Sequence, residues 1–171
     1  MNPTPQPGQT GSLLDPSAWG GWATIVAAVI GAAIIVIGFL VERSRQRKAR
    51  RAEAYAGALQ AVSDYLEAPY RIRRRSGTDT DRVALTNHIS EIQSRLDFYE
   101  AHLALVGPAD VHAAYCRLVA AAKSEAGPQM SAAWRGRPTR RDRDVPGITP
   151  YPHPKSDAAR REALALMARA Q

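Results

Sequence analysis

This 171-residue chain has little cysteine and little lysine, and it lacks the common catalytic signatures. One cysteine, Cys116, excludes an intramolecular disulfide framework and by itself cannot build a thiolate cluster, so a reducing compartment suits it. Lysine occurs only at Lys48, Lys123 and Lys155, so the net charge of +7 rests on arginine and favours acidic surfaces as partners. No phosphate loop of the form GxxxxGK followed by Ser or Thr is present, and no GxGxxG, HExxH, CxxC or GxSxG. These absences leave no catalytic, cofactor-binding or metal residue to assign. The chain reads as a non-enzyme.

What is present is one long apolar run, Trp22 to Val41, free of charge and with Thr24 its main side-chain hydrogen-bonding group. At about 1.5 Å per residue it reaches about 30 Å, the thickness of a bilayer core. The run therefore predicts a transmembrane helix over residues 19–41, with Trp19 and Trp22 at the outer interface. Arg43, Arg45, Arg47, Lys48, Arg50 and Arg51 follow it, whereas residues 1–21 carry no Lys or Arg. Positive flanks stay inside, which predicts a single-pass plasma-membrane protein, N-terminus outside and C-terminus cytoplasmic, with anionic lipid headgroups against the basic run. Residues 1–18, rich in Pro and Gly, read as a disordered outer tail. A cleaved signal peptide is disfavoured, because the start is not basic and the apolar stretch is too long. Thr24, Ala27, Ala28, Gly31 and Gly38 put small residues near one stripe, a face suited to a homodimer.

Beyond the run the pattern stays helical. Tyr55, Leu59, Val62 and Leu66 mark one face up to Pro69. Thr78 and Asp81 then have the spacing of a helix start. Leu85, Ile89, Ile92, Leu96, Tyr99, Leu103 and Val106 predict a long second helix, stopped by Gly107 and Pro108. Val111, Tyr115, Leu118 and Ala122 predict a third, from Asp110 to Gly127 and Pro128. The expected architecture is all-α: a membrane helix continuing into an antiparallel hairpin or three-helix bundle over residues 42–127, with coiled-coil-like seams. Residues 128–155 read as a disordered Pro/Arg-rich linker, and residues 156–171 as a short helix capped by Ser156 and Asp157.

Candidate partner-binding residues lie in two further basic clusters, Arg71, Arg73, Arg74 and Arg75, and Trp134, Arg135, Arg137, Arg140, Arg141 and Arg143. Alternating helix directions bring both to one end, as an Arg cap with Trp134 and Tyr70 for stacking. An acidic protein surface fits such a cap. Nucleic acid is disfavoured, since Asp142 and Asp144 dilute the charge and arginine replaces lysine throughout the chain. His88 with Glu91 reverses the Glu-x-x-His order of di-iron bundles and has no second copy, which favours solvated surface over a ligand pair. His102, His112, Glu100, Asp110 and Cys116 could be assembled into a Cys/His/acid set. With no glycine-rich loop beside Cys116 to form an oxyanion hole, a structural thiol is favoured.

The span, the stop-transfer run ERSRQRKARR, the Tyr-x3-Leu-x2-Val spacing and the turn ALVGPADVHAAYCRLVAA resemble those of short uncharacterised actinobacterial membrane proteins, over about residues 20–125. That resemblance implies topology and fold and transfers no catalytic residue. The functional expectation is a membrane-anchored interaction or scaffold module that engages an unknown cytoplasmic protein. Binding of nucleic acid or an acidic partner through the Arg cap is the alternative, and a weak hydrolase or metal site a lesser one.

Overall fold

A computed structural model describes residues 16–139 and 151–170, with side chains from residue 28 onward. It contains α1 (Pro16–Arg73), α2 (Asp79–Val106), α3 (Ala109–Arg135) and α4 (Pro154–Arg169), and no strand among the described residues. The chain divides into two compact units, residues 1–46 and 47–171.

In the first unit the expectation of a membrane span is corrected: among the described residues no helix is long and apolar enough to cross a membrane. The described apolar side chains begin at Ala28, and Glu42 and Arg43 end the run after Val41. With that expectation the transmembrane and single-pass assignments, the plasma-membrane location and the outside-to-inside orientation are withdrawn. The side chains of residues 19–27 of the expected span, Trp19 and Trp22 among them, lie outside the described ones, as does the whole tail up to residue 15. Arg43 and Arg45 in this unit, and Arg47, Lys48 and Arg50 in the next, are solvent-exposed, and Arg51 is half-buried.

In the second unit, four helical segments pack where three were expected. Contacts from α1 to α2 descend in antiparallel order: Arg71 meets His88 at 3.0 Å, Asp64 meets Arg95 at 2.7 Å, and Gly57 lies against the Tyr99 ring. Lys123 on α3 reaches Asp97 on α2 at 3.6 Å. Arg117 pairs with Glu162 on α4 at 2.7 Å, and Arg160 of α4 donates to Ser63 of α1 at 3.1 Å. Each helix thus runs against its chain neighbour and α4 closes the ring on α1, an up-down-up-down four-helix bundle. The core is aliphatic and alanine-rich: Ala58, Val62, Ile72, Ile92, Leu96, Leu103, Val111, Leu118, Ala122, Ala126, Ala163 and Met167 are buried. Small side chains here allow close helix approach, and the expected stripes of α1, α2 and α3 supply most of the larger ones.

The helix ends follow local chemistry where the signals are strong. Thr78 caps α2, its hydroxyl accepting from the Asp81 N–H at 3.2 Å, while the Asp81 carboxylate accepts from the Ser76 N–H at 2.6 Å. Gly77, at φ +85°, makes the left-handed turn ahead of it. Gly107 donates to the Leu103 carbonyl at 2.9 Å and ends α2 where expected. Proline misleads at two points: α1 continues past Pro69 to Arg73, and α3 continues past Pro128 to Arg135. A proline inside a helix costs about 3 kcal/mol. Beyond each, burial offsets it: Ile72 is enclosed after Pro69, and Met130 and Ala133 after Pro128. The expected linker is therefore helical up to Arg135.

Docking of α4 depends on a residue from another helix. The expected cap, Ser156, sits inside α4 and is buried. The Glu125 carboxylate of α3 accepts from the Lys155 N–H at 2.9 Å, and from the Ser156 N–H at 3.0 Å and hydroxyl at 2.5 Å. A carboxylate at a helix N-terminus satisfies orphan donors and complements the dipole. Burial alone raises the Glu125 carboxyl, but the Ser156 hydroxyl, the Lys155 and Ser156 amides and the neighbouring His153 together hold it below its ordinary value of 4.5. With the folded value depressed, the stabilisation is present above pH 4.5 and is lost as pH falls through the lower folded value. Amide NMR signals of α4 should therefore lose their dispersion in an acid titration before those of α2. Glu125→Gln should weaken docking at neutral pH and abolish that acid step; an unchanged titration would refute the role of Glu125.

Candidate functional site

Two places gather polar side chains that the sequence singles out. The first is the end of the bundle where α1 and α3 terminate. The second basic cluster and the described part of the third, Trp134 to Arg137, meet there, and much of the hydrogen-bonding capacity of the second is used internally. Arg75 is only 9% exposed, and its guanidinium donates to the carbonyls of Ile72, Ala133, Trp134 and Gly136 at 2.5 to 3.0 Å. Its charge lies 5.1 Å from the Trp134 ring centre. Arg74 pairs with Glu67 at 2.7 Å, and Arg71 donates to His88. Arg73, Arg137, Thr139 and Tyr151 line a cleft of about 260 Å³. Arg135 is solvent-exposed. Tyr70 packs edge-on against Tyr151 at 4.8 Å and accepts its N–H.

Both aromatic groups expected to offer stacking faces are thus engaged within the protein, and Arg75 works as a cap on the α3 C-terminus. Arg140, Arg141 and Arg143 lie outside the described residues. This role of Arg75 was not legible in the sequence, because four adjacent-looking arginines differ only in which one the helix end turns inward.

The second place is the α2–α3 seam beside the Gly107 turn. Of the five residues that could form a Cys/His/acid set, three come together: Glu100, His112 and Cys116, with potential ligand atoms all within 4.8 Å of one another. His112 and Cys116 are four apart on α3 and so share a face, with Nε2 and Sγ 3.4 Å apart. Asp97, Glu100, Ala101, Ala104 and His112 line an open cleft of about 360 Å³. The other two point elsewhere. His102 stacks on Phe98 at 5.5 Å and, with Arg47, Arg50, Arg51 and Val106, lines a separate cleft. Asp110 accepts the Val111 N–H at 2.9 Å at the start of its own helix. His88 lies 4.0 Å from Glu91, and its Nε2 is taken by Arg71.

Burial foremost, then the Glu100 charge and the thiol's hydrogen bond to that carboxylate, raise the Cys116 thiol above its ordinary value. A raised thiol is a poor nucleophile at neutral pH, which weighs against a hydrolase. Burial, with the charges of Glu100, Tyr99, Cys116 and Asp97 behind it, also raises the Tyr115 phenol. The Tyr115 hydroxyl is enclosed and has no hydrogen-bond partner among the described residues.

Comparison with known protein families, with curated proteins and with solved structures finds no match, so no residue role is carried over from a relative.

Proposed function

We propose that this protein is a non-catalytic assembly module that self-associates through its apolar helical stretch, with the four-helix bundle as the body so assembled. The observation that carries this is the uncovered state of that stretch. Val29, Ile30, Ile34, Ile35, Val36, Ile37, Phe39, Leu40 and Val41 are 46 to 73% exposed. Successive helical residues turn by about 100°, so Ile34 to Ile37 present apolar surface on every side. Apolar surface this continuous marks a contact site on a protein in water. Gly31 and Gly38, seven residues apart on one face, have open space where a Cβ would stand, and a second helix can approach closely there. A second copy of the same segment matches this shape, being equally apolar and small on one side.

Sedimentation equilibrium of the full chain in aqueous buffer tests the proposal. The wild type should form dimers or larger species at micromolar concentration. Ile34→Asp with Ile37→Asp should raise the dissociation constant at least about 100-fold, since charge placed on an apolar contact costs several kcal/mol, while bundle helicity and melting stay unchanged. A monomeric wild type, or association indifferent to the two substitutions, would overturn it. So would a chain that stays monomeric and binds only to phospholipid vesicles.

A further inference from the structure

We propose that Glu100, His112 and Cys116 form a three-ligand site for a divalent transition-metal cation of the zinc class, with its fourth position open to the cleft along α2. The ligand types decide the class. A thiolate, an imidazole and a carboxylate make a borderline-soft set that suits zinc or cobalt, whereas magnesium and calcium call for oxygen ligands.

The geometry is close to what such an ion requires. With Zn–S near 2.3 Å and Zn–N near 2.05 Å, a tetrahedral ion holds sulfur and nitrogen about 3.6 Å apart. The Cys116 Sγ to His112 Nε2 distance is 3.4 Å. Separations involving the Glu100 carboxylate lie within 4.8 Å. Closing them requires a movement of about 1 Å by a half-buried side chain with three rotatable bonds. The helical framework supports the pair from α3, because an i,i+4 spacing places two ligands one turn apart, while α2 brings Glu100 across the seam from the other side of the Gly107 turn.

Binding is coupled to one proton. The Cys116 S–H gives its proton to solvent as the sulfur–metal bond forms, so affinity rises with pH. A dication held here neutralises the Cys116 thiolate and the Glu100 carboxylate together. Asp97 and Glu100 line the adjoining cleft. That leaves room for water or an acidic or neutral donor in the fourth position.

Cobalt(II) titration of the reduced full-length protein is the test, because a thiolate bound to cobalt gives a near-ultraviolet charge-transfer band that a carboxylate or imidazole does not. The expected result is a band saturating at one cobalt per chain, displaced by zinc and unaffected by millimolar magnesium. Cys116→Ser should abolish the band. His112→Ala and Glu100→Ala should each weaken binding at least about 100-fold, since losing even an outer-shell partner costs 10- to 100-fold. His88→Ala should change nothing. Circular dichroism of every variant confirms that the bundle is intact, and Cys116→Ala serves as a second thiol-free variant should Cys116→Ser not fold. Absence of a band at stoichiometric cobalt would overturn the proposal. Affinity unchanged by His112→Ala or by Glu100→Ala would do so as well, showing a lone-thiol adduct or a different ligand set.

Discussion

Arg75→Ala is expected to destabilise the four-helix bundle by about 2–4 kcal/mol, read as a lower urea midpoint by far-ultraviolet circular dichroism. Hydrogen bonds from a charged donor contribute about 1.5–3 kcal/mol each, but they share one side chain and do not add. The loss is large because the carbonyls of Trp134 and Gly136 at the end of α3 lose this donor, and those of Ala133 and Ile72 keep only the backbone N–H of Gly136 and of residue 75. These are the helix ends where a cation is most favourable. Arg75→Lys should recover less than half of the loss, since an ammonium on a flexible stem cannot reproduce a planar fork with acceptors on several sides. Arg73→Ala, a few residues away and only half-buried, should stay within about 0.5 kcal/mol of wild type. Equal effects at the two positions would mean that Arg75 contributes charge and not a cap.

Leu103→Ala should cost about 3–4 kcal/mol, whereas Leu105→Ala on the same helix should cost less than about 0.5 kcal/mol. The chemistry of the two substitutions is identical and only the environment differs. Leu103 is fully enclosed in the core, and Leu105 is 83% exposed. Deleting the first removes its transfer free energy and leaves a cavity; deleting the second removes little but solvent-facing surface. Denaturant midpoints of the two variants give the comparison directly, and similar values would place the α2 stripe differently from the structure.

The stripe that distinguishes these leucines is readable in the sequence, because hydrophobic residues at alternating spacings of three and four can only serve one helical face. The Thr78 cap is equally local, as are the Gly107 and Pro108 stop and the burial of Val111, Tyr115 and Leu118: a few neighbouring residues carry the whole signal. Proline was less reliable. Its local penalty at Pro69 and Pro128 is real, but the decision to continue each helix was made by side chains that pack several residues further on. The apolar run from Trp22 to Val41 carries the strongest composition signal in the chain and predicts a span, yet among the described residues no helix is long and apolar enough to cross a membrane.

The candidate site divides in the same way. His112 and Cys116 share a face by their spacing, which the sequence states outright. That Glu100 completes the group and His102 leaves it depends on how α2 is rotated against α3, and no local pattern reports a rotation. The inward turn of Arg75, and the capping of α4 by Glu125, also join residues far apart in sequence, so each exists only once the bundle has closed. By itself the sequence determined the helical character, three of the four amphipathic stripes and the strong caps, all of which arise from interactions within a few residues. Tertiary structure alone decided that α4 becomes a fourth member, which arginine is structural, and which titratable groups meet, because those outcomes depend on distances between helices that only packing sets.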